Sequence, residues 1–390
     1  MSTEDTLTGI GLDFTMSESQ KAVQQLARDF AENEMRPVVM KYDESQEFPF
    51  EITNRLAQLG FMGITWPEEL GGAGLSDLEA IVVIEEIAKV DPSVALTVAS
   101  HNSLCTGHIM GFANDEQKRE YVPDLASGRK LGAWGLTEPG SGSDSGGMRT
   151  LATRDGKDWV ISGSKTFITQ GSVGSTYVIM AMTDVSKGKN SISAFILEKG
   201  MKGFTIGKKE NKLGLRSSDT ATLLFDNVRV PGENLIGEVG DGFKQALAVL
   251  DGGRVGIAAL SVGIAQGALD ASIKYARERK QFGKAIGEFQ AIQWKIADMA
   301  TEISAARLLT QKAAWMKGKG MNINLSAAQA KYFASEAAVR ATNEGLQIHG
   351  GYGYIKEFPI EKLYRDVKLM TIGEGTSEVQ KMVIARNLLG

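Results

Sequence analysis

Two changes of hydrophobic period constrain this chain more than any single motif. Between residues 148 and 230, short runs rich in β-branched and aromatic residues (159–162, 166–169, 177–180, 192–196 and 222–225) alternate with turn residues. Runs of that length and make-up are strands. Asp155-Gly156 falls between two of them, and because both central residues of a type I′ turn need positive φ, the pair predicts a tight hairpin. On either side the period lengthens to that of helices. From Asp13 to about Lys130, Thr15/Glu18 and Ser76/Glu79 have the spacing of capping boxes, and Gly71, Gly72 and Gly74 break the run into a loop. After Pro231, Ile292, Ile296, Met299, Ile303 and Ala306 recur at three and four, and 325–346 and 360–388 predict further long helices. A 390-residue chain with this order, at about 100–200 residues per domain, is expected to be an α+β protein of three domains. These are an N-terminal all-α domain (1–132), a middle antiparallel β-barrel domain (133–240) and a C-terminal four-helix bundle (241–390).

Composition removes whole classes of function. Lys plus Arg total 43 against 47 Asp plus Glu, a net charge of −4. Nucleic acid, which is held by neutralising phosphates, is therefore not an expected partner. The single cysteine, Cys105, excludes an internal disulfide and suits a reducing compartment. The least charged stretches are 92–114, which carries Ser, His, Asn and Thr throughout, and 255–269, too short for about 30 Å of hydrocarbon, so no membrane association is expected. Residues 1–14 show no apolar or Arg-rich targeting segment, which points to a cytoplasmic protein.

Familiar catalytic signatures fail. In Gly140-Ser-Gly-Ser-Asp-Ser145 the third glycine of a dinucleotide loop is misplaced, Ser164 interrupts a P-loop ending at Lys165-Thr166, and there is no Gly-x-Ser-x-Gly elbow. His101, Cys105 and His108 recur at i, i+4 and i+7, but a fourth ligand is not evident and no metal is expected.

Five polar, Gly-rich segments remain: Trp134-Gly-Leu-Thr-Glu-Pro-Gly-Ser-Gly-Ser-Asp144, Lys165-Thr-Phe-Ile-Thr169, Arg277-Glu-Arg-Lys-Gln-Phe-Gly283, Gln347-Ile-His-Gly-Gly-Tyr-Gly-Tyr354 and Tyr364-Arg-Asp-Val-Lys-Leu-Met-Thr-Ile-Gly-Glu-Gly-Thr-Ser-Glu378. Alone, most have an ordinary explanation: a loop, a core aromatic, a solvated helix end. Their order and spacing resemble the acyl-CoA dehydrogenase family, above all its short-chain and butyryl-CoA members, over nearly the whole chain.

The resemblance implies FAD as cofactor and assigns residues to it. Trp134, Leu136, Thr137 and Ser143 match positions that line the flavin, Ser143 also reaching the CoA ligand. Phe167 and Thr169, on a strand with alternating sides, match positions covering a flavin face near N5, where Trp is common in place of Phe167. Arg279, Gln281 and Phe282 match positions that hold the pyrophosphate and adenosine of FAD bound mainly to a neighbouring subunit, a task suited to the planar guanidinium fork. Gln290, Gln347, Gly350 and Gly351 extend that site, which implies a homotetramer, and Thr376 and Glu378 match further FAD contacts. Asp251, Arg254 and Gly375 match substrate-contacting positions, whereas Asp91, after a helical run, suits a helix end.

The implied chemical centre is Glu374. Removing hydrogen from Cα and Cβ of an acyl thioester needs a base for the α-proton and an acceptor for the hydride, which a flavin provides. A carboxylate of ordinary pKa, ~4.3, is a weak base and needs a desolvated site and a polarised carbonyl; the resemblance assigns that polarisation to the Glu374 amide and an FAD ribityl hydroxyl. Taken alone, the acid is better read as a helix N-terminal charge; within Gly373-Glu-Gly-Thr-Ser-Glu378 the catalytic reading leads. Many straight-chain members carry Tyr before this Glu, where this chain has Gly373, leaving room for a branched or alicyclic acyl group. The expected function is therefore α,β-dehydrogenation of a short-chain, straight or branched, acyl-CoA to the trans-2-enoyl-CoA, with electrons passed to an electron-transfer flavoprotein. The alternatives are an alicyclic acyl-CoA dehydrogenase, an acyl-CoA oxidase and a non-catalytic flavin-binding protein.

Overall fold

Helix starts are set by side chains that cap them. The computed structural model describes residues 15–390; the start of the chain, 1–14, from which targeting was judged, lies outside them. The first helices are α1 (Glu18–Phe30), α2 (Val39–Ser45), α3 (Phe50–Gln58), α4 (Asp77–Ala88), α5 (Pro92–Ser100), α6 (Gly107–Phe112) and α7 (Asp115–Ala126). Ser76 and Glu79 form the expected capping box on α4. On α1 the box is Ser17 with Gln20 rather than Thr15 with Glu18, with reciprocal bonds of 3.1 and 3.0 Å; a glutamine amide oxygen at the third position accepts as a carboxylate does. Asp91 caps α5, its carboxylate accepting the Ser93 amide at 3.0 Å.

The strands are β1 (Gly132–Gly135), β2 (Leu151–Asp155), β3 (Asp158–Thr169), β4 (Thr176–Met182), β5 (Ile192–Glu198), β6 (Phe204–Lys209), β7 (Thr220–Val230) and β8 (Leu235–Ile236). The sheet order is β6-β7-β3-β2-β4-β5-β8, with β1 also beside β4. This corrects the expected antiparallel barrel: the ends of the order, β6 and the two-residue β8, do not pair, so the sheet stays open. It is also mixed, because β1 and β2 both run parallel to β4, sharing one of its edges at Thr176–Ile179 and at Met182 respectively. The predicted β2–β3 hairpin is present, but Asp155 pairs with Asp158, so Gly156 and Lys157 form its loop. Of that loop only Gly156 has positive φ, which does not meet the type I′ requirement for two. Alternation along β4 sends Val178, Met180 and Met182 into a core shared with α6, α7 and the following helix, and Tyr177, Ile179 and Ala181 into a second core on the other face.

The C-terminal part comprises α8 (Gly242–Glu278), the short strands β9 (Lys280–Gln281) and β10 (Lys284–Ala285), then α9 (Gln290–Gly318), α10 (Asn324–His349), α11 (Pro359–Asp366) and α12 (Ser377–Leu389). The predicted continuous helix over 360–388 is broken into α11, a 3₁₀ turn at Val367–Thr371 and, past a loop, α12. Gly373 and Gly375 disfavour helix there, and Thr376 starts a new one by accepting the Val379 amide. Residues 255–269 are the middle of α8, which at 37 residues is long and apolar enough to cross a membrane; 72% of its most apolar window is buried inside the protein. It is the helix around which N- and C-terminal helices share one hydrophobic core, Ile84 and Ile87 of α4 packing in the same cluster as Leu260 and Ile264.

Candidate active site

The break between α11 and α12 carries Glu374. Its backbone is left-handed, φ 53°, followed by Gly375 at φ 93°. A non-glycine residue held there costs about 1–3 kcal/mol and persists only where surroundings fix it. Three bonds do so: Lys331 of α10 donates from Nζ to the Gly375 carbonyl at 2.7 Å, and Gln380 of α12 donates from Nε2 to the Gly375 and Glu374 carbonyls at 2.9 and 3.2 Å. The Glu374 amide enters none of the hydrogen bonds of the described residues.

The turn presses the carboxylate against α8. A Cβ built on Gly253 would stand 2.0 Å from Glu374 Oε2, so only glycine leaves the carboxylate this seat. Glu374 Oε2 is buried and has no hydrogen-bond partner among the described residues. Burial pushes the carboxyl up to about 7, against the pull of Lys331 and then Arg254. Beside it Arg254 pairs with Asp251, whose two oxygens each accept from Asn324 Nδ2 at 3.0 Å. The Arg254 Nε is buried and, among the described residues, unpartnered. Gln380 Oε1 is a third such atom; buried polar groups are nearly always paired, so three open ones around a single turn point to a ligand.

Further along the chain, the Gly-rich segment after β1 is anchored from beneath. Lys165 Nζ, fully buried, donates to the Leu136 carbonyl at 3.1 Å and to Glu138 at 2.7 Å. Glu138 also accepts the Arg149 and Thr150 amides, and these donors with Lys165 hold its carboxylate ionised despite burial. Trp134 Nε1 donates to His108 Nδ1 at 3.0 Å, so the neutral ring donates from Nε2 to Gln245 Oε1 of α8. His101 and Cys105 are likewise engaged, accepting from the Gly132 amide and donating to the Leu125 carbonyl, and meeting the Thr176 carbonyl. A π-helical turn at His101–Thr106 breaks the face on which the three were spaced. Thr137 is tied to the Lys165–Thr169 segment through the Thr166 amide at 2.9 Å, and Ser143 is exposed. Phe167 departs from simple strand alternation: a bulge between Lys165 and Ile168 puts it at φ 57°, 65% exposed, while Thr169 stays in register opposite Thr220.

A separate cleft of about 480 Å³ gathers Arg279, Gln281, Gly350 and Gly351 against Tyr275 and Tyr352. The Arg279 guanidinium lies 5.3 Å from the centre of the Tyr352 ring. Phe282 sits at the tip of the β9–β10 hairpin, φ 52° and 94% exposed, with Gly283 at φ 80°. That pair has the two positive φ angles of a type I′ turn. Gln290 and Gln347 are exposed and lie outside the cleft lining. Thr376 and Glu378 open α12, the carboxyl of Glu378 held low by its own amide and by the Thr376 hydroxyl. None of the residues lining this cleft belongs to the Glu374 turn. Sequence patterns leave out Gly253, Lys331 and Gln380; a glycine pair inside a helix and a lysine amid buried alanines are the signals that could have found the first two.

All three parts of the sequence match one family: Acyl-CoA dehydrogenase, N-terminal domain, over residues 17–129, middle domain over 133–228 and C-terminal domain over 240–389. The chain belongs to the acyl-CoA dehydrogenase family. It is 48% identical to the acyl-CoA dehydrogenase, short-chain specific, of Clostridium acetobutylicum over 96% of this chain and 99% of that one. It is 46% identical to the caffeyl-CoA reductase-Etf complex subunit CarC of Acetobacterium woodii, over 96% and 99%. Among solved structures, butyryl-CoA dehydrogenase from Megasphaera elsdenii superposes with a TM-score of 0.96 at 44% identity, covering 97% of this chain and all of that one. Acyl-CoA dehydrogenases are FAD-dependent flavoprotein oxidoreductases. The residues here fit such a group. The arginine-bearing cleft offers charge for a pyrophosphate, and a Cβ at Gly140, Gly142, Gly350 or Gly351 would meet nothing within 4 Å, so this backbone stays open for a body from outside the chain.

Proposed function

We propose that this acyl-CoA dehydrogenase oxidises short-chain acyl-CoA thioesters to trans-2-enoyl-CoA, with Glu374 as the base. The observation that carries the reading is the Glu374 carboxylate itself: its Oε2 is buried and without a hydrogen-bond partner among the described residues, and burial raises the group to about 7. A base is most effective when its pKa is near the working pH. The free Glu374 amide is a donor for the thioester carbonyl, and polarising that carbonyl acidifies the α-proton. Arg254, paired with Asp251, whose carboxylate Asn324 also holds, acts on Glu374 electrostatically, and its Nε has no partner among the described residues. FAD, when bound, supplies the acceptor for the hydride leaving Cβ and relays the electrons to an electron-transfer flavoprotein. Trp134, Leu136, Thr137, Ser143, Phe167 and Thr169 would hold its flavin end. Arg279, Gln281, Phe282, Gln290, Gln347, Gly350 and Gly351 would hold the pyrophosphate and adenosine end of FAD carried by a neighbouring subunit, in a homotetramer. Ser143, Asp251, Arg254 and Gly375 would contact the acyl-CoA, and Thr376 and Glu378 the cofactor.

Gly373 places no ring beside the carboxylate, so branched and alicyclic acyl groups belong in the substrate test. The same proton-transfer group serves the reverse reaction, the direction named for the A. woodii relative. The test is anaerobic mixing of the FAD-loaded enzyme with straight, branched and cyclic acyl-CoAs, scored by flavin bleaching. Butyryl-CoA should bleach the wild type, and Glu374→Gln should retain FAD and CoA ligands without bleaching. Bleaching at the wild-type rate in that variant would overturn the assignment.

A further inference from the structure

Lys331 is buried in the middle of α10, a helix whose interior face is otherwise mostly alanine and small hydroxyls. Burying an ammonium is costly, and the structure gives it one hydrogen bond among the described residues, to the Gly375 carbonyl at 2.7 Å. Such a donor is not needed merely to satisfy that carbonyl, because Gln380 Nε2 also reaches it at 2.9 Å. What Lys331 adds is a fixed positive charge behind the left-handed turn whose side chain is pinned on Gly253. We propose that Lys331 is the positioning residue of the Glu374 carboxylate: it holds the Glu374–Gly375 turn by its second carbonyl and places a buried positive charge behind the turn that carries the carboxylate. This rests on the reading of Glu374 as the base.

The electrostatic setting is defined on every side. Arg254 of α8 is the other cation acting on Glu374 and is itself paired with Asp251. Arg254 also repels the charge on Lys331, while Glu336 of α10, which accepts from Ser377 Oγ at 2.6 Å, and Glu378 of α12 attract it. Burial draws Lys331 down to about 8, while Glu374 helps keep it charged. A cation beside a buried carboxylate favours the ionised, proton-accepting form. Removing it should therefore leave Glu374 protonated to higher pH.

The experiment compares wild type, Lys331→Met, Lys331→Arg and Glu374→Gln as FAD-loaded enzymes, measuring the rate of flavin reduction by butyryl-CoA against pH. Methionine keeps the length of the side chain, and Gln380 still ties the turn, so the variant should fold; circular dichroism and FAD content check this. Lys331→Met should move the acid limb of the rate profile up by about one pH unit and lower the rate at pH 7 about tenfold or more. Lys331→Arg should restore the position of the limb. Infrared titration of the apoproteins reads the Glu374 carboxyl without turnover and should show the same displacement. A folded Lys331→Met enzyme whose limb and carboxyl titration coincide with the wild type would overturn the role of Lys331 while leaving Glu374 as base. Bleaching by Glu374→Gln would instead overturn the base assignment. A Lys331→Met chain that does not fold leaves Lys331→Arg to decide: a folded arginine variant with a displaced limb would also overturn the proposal.

Discussion

The Glu374 turn and the Arg279 hairpin use one backbone device for opposite ends. Each holds a large residue in the left-handed region, Glu374 at φ 53° and Phe282 at φ 52°, with a glycine next in sequence. At the turn, the chain closes on itself: two carbonyls are tied by Lys331 and Gln380, and the side chain is pressed onto Gly253. At the hairpin, the aromatic side chain is 94% exposed and Gly283 has open space around it. Strain that the chain resolves internally fixes a side chain in one place, whereas strain left at the surface holds one out toward solvent. On the function proposed above, the same contrast would separate the site of the base from a surface that a neighbouring subunit's cofactor would cover.

The largest effect expected on the closed side is that of Glu374→Gln, which should lower the rate of flavin reduction by acyl-CoA by about 10²–10⁴ and leave the Arg279 cleft able to retain FAD. The same variant carries a stability signature. Because burial raises the folded-state carboxyl from 4.5 to about 7, the folded protein binds more protons than the unfolded chain between those values. Its stability therefore falls as pH rises through that window and stays lower above it. Glutamine cannot ionise, so the variant should gain stability over wild type at pH 8, by up to about 3 kcal/mol, and little at pH 4. Urea unfolding of the two apoproteins at both values measures this; an equal difference at the two pH values would contradict the buried state of the carboxylate.

Gly253→Ala should separate folding from chemistry more cleanly. The atom that an alanine methyl would strike is the end of the Glu374 side chain, which can swing away, and Leu104 need yield only slightly. Alanine also favours helix over glycine by about 1 kcal/mol. Thermal stability should hold or rise while the rate of flavin reduction falls about 10²-fold, since displacement of a reacting group by about 1 Å has that cost. An unchanged rate would mean that the carboxylate reacts from another position.

How much of this was legible depended on how local the cause is. Glu374 stands out because the segment 364–378 around it is one of the two that carry the family resemblance most specifically; taken alone, the acid suits a helix N-terminus. The break between α11 and α12 was missed because apolar spacing over 360–388 continues through it, and only the φ angles of 374 and 375 reveal the turn. Phe167 follows a strand period, and the bulge that turns it out arises from pairing with β7, a partner more than fifty residues away. The barrel expectation failed for a related reason: alternation reports which residues face inward but not whether β6 meets β8. Lys331 and Gly253 belong to different helices, and their meeting at Glu374 is a property of helix packing alone.

On the open side, Arg279→Ala should weaken FAD retention by about 10–100-fold, the range for losing a hydrogen bond to a charged group. The loss should be greatest at low salt, because an exposed cleft is screened where the buried turn is not. FAD titration of the apoprotein at two ionic strengths checks it, and the pH profile of the enzyme reloaded at saturating FAD should match the wild type. A displaced profile would show that the two regions are coupled, and the contrast between them would have to be redrawn.

The smallest effect concerns the edge of the closed site. Gly373 precedes Glu374, and the nearest atoms to a Cβ built there belong to Leu369, at 3.6 Å and beyond, so a Cβ is accepted at ordinary contact distance. Gly373→Tyr should leave the rate with butyryl-CoA within a few-fold and lower the rate with branched and cyclic acyl-CoAs about tenfold, the discrimination that a hydrophobic wall gives for one or two carbons. Competition between butyryl-CoA and a cyclic acyl-CoA in one anaerobic reaction reads the ratio directly. If the ratio stays put, the residue before the base does not face the acyl group, and the selectivity of this enzyme is set from α4, α8 or the loop between β1 and β2 instead.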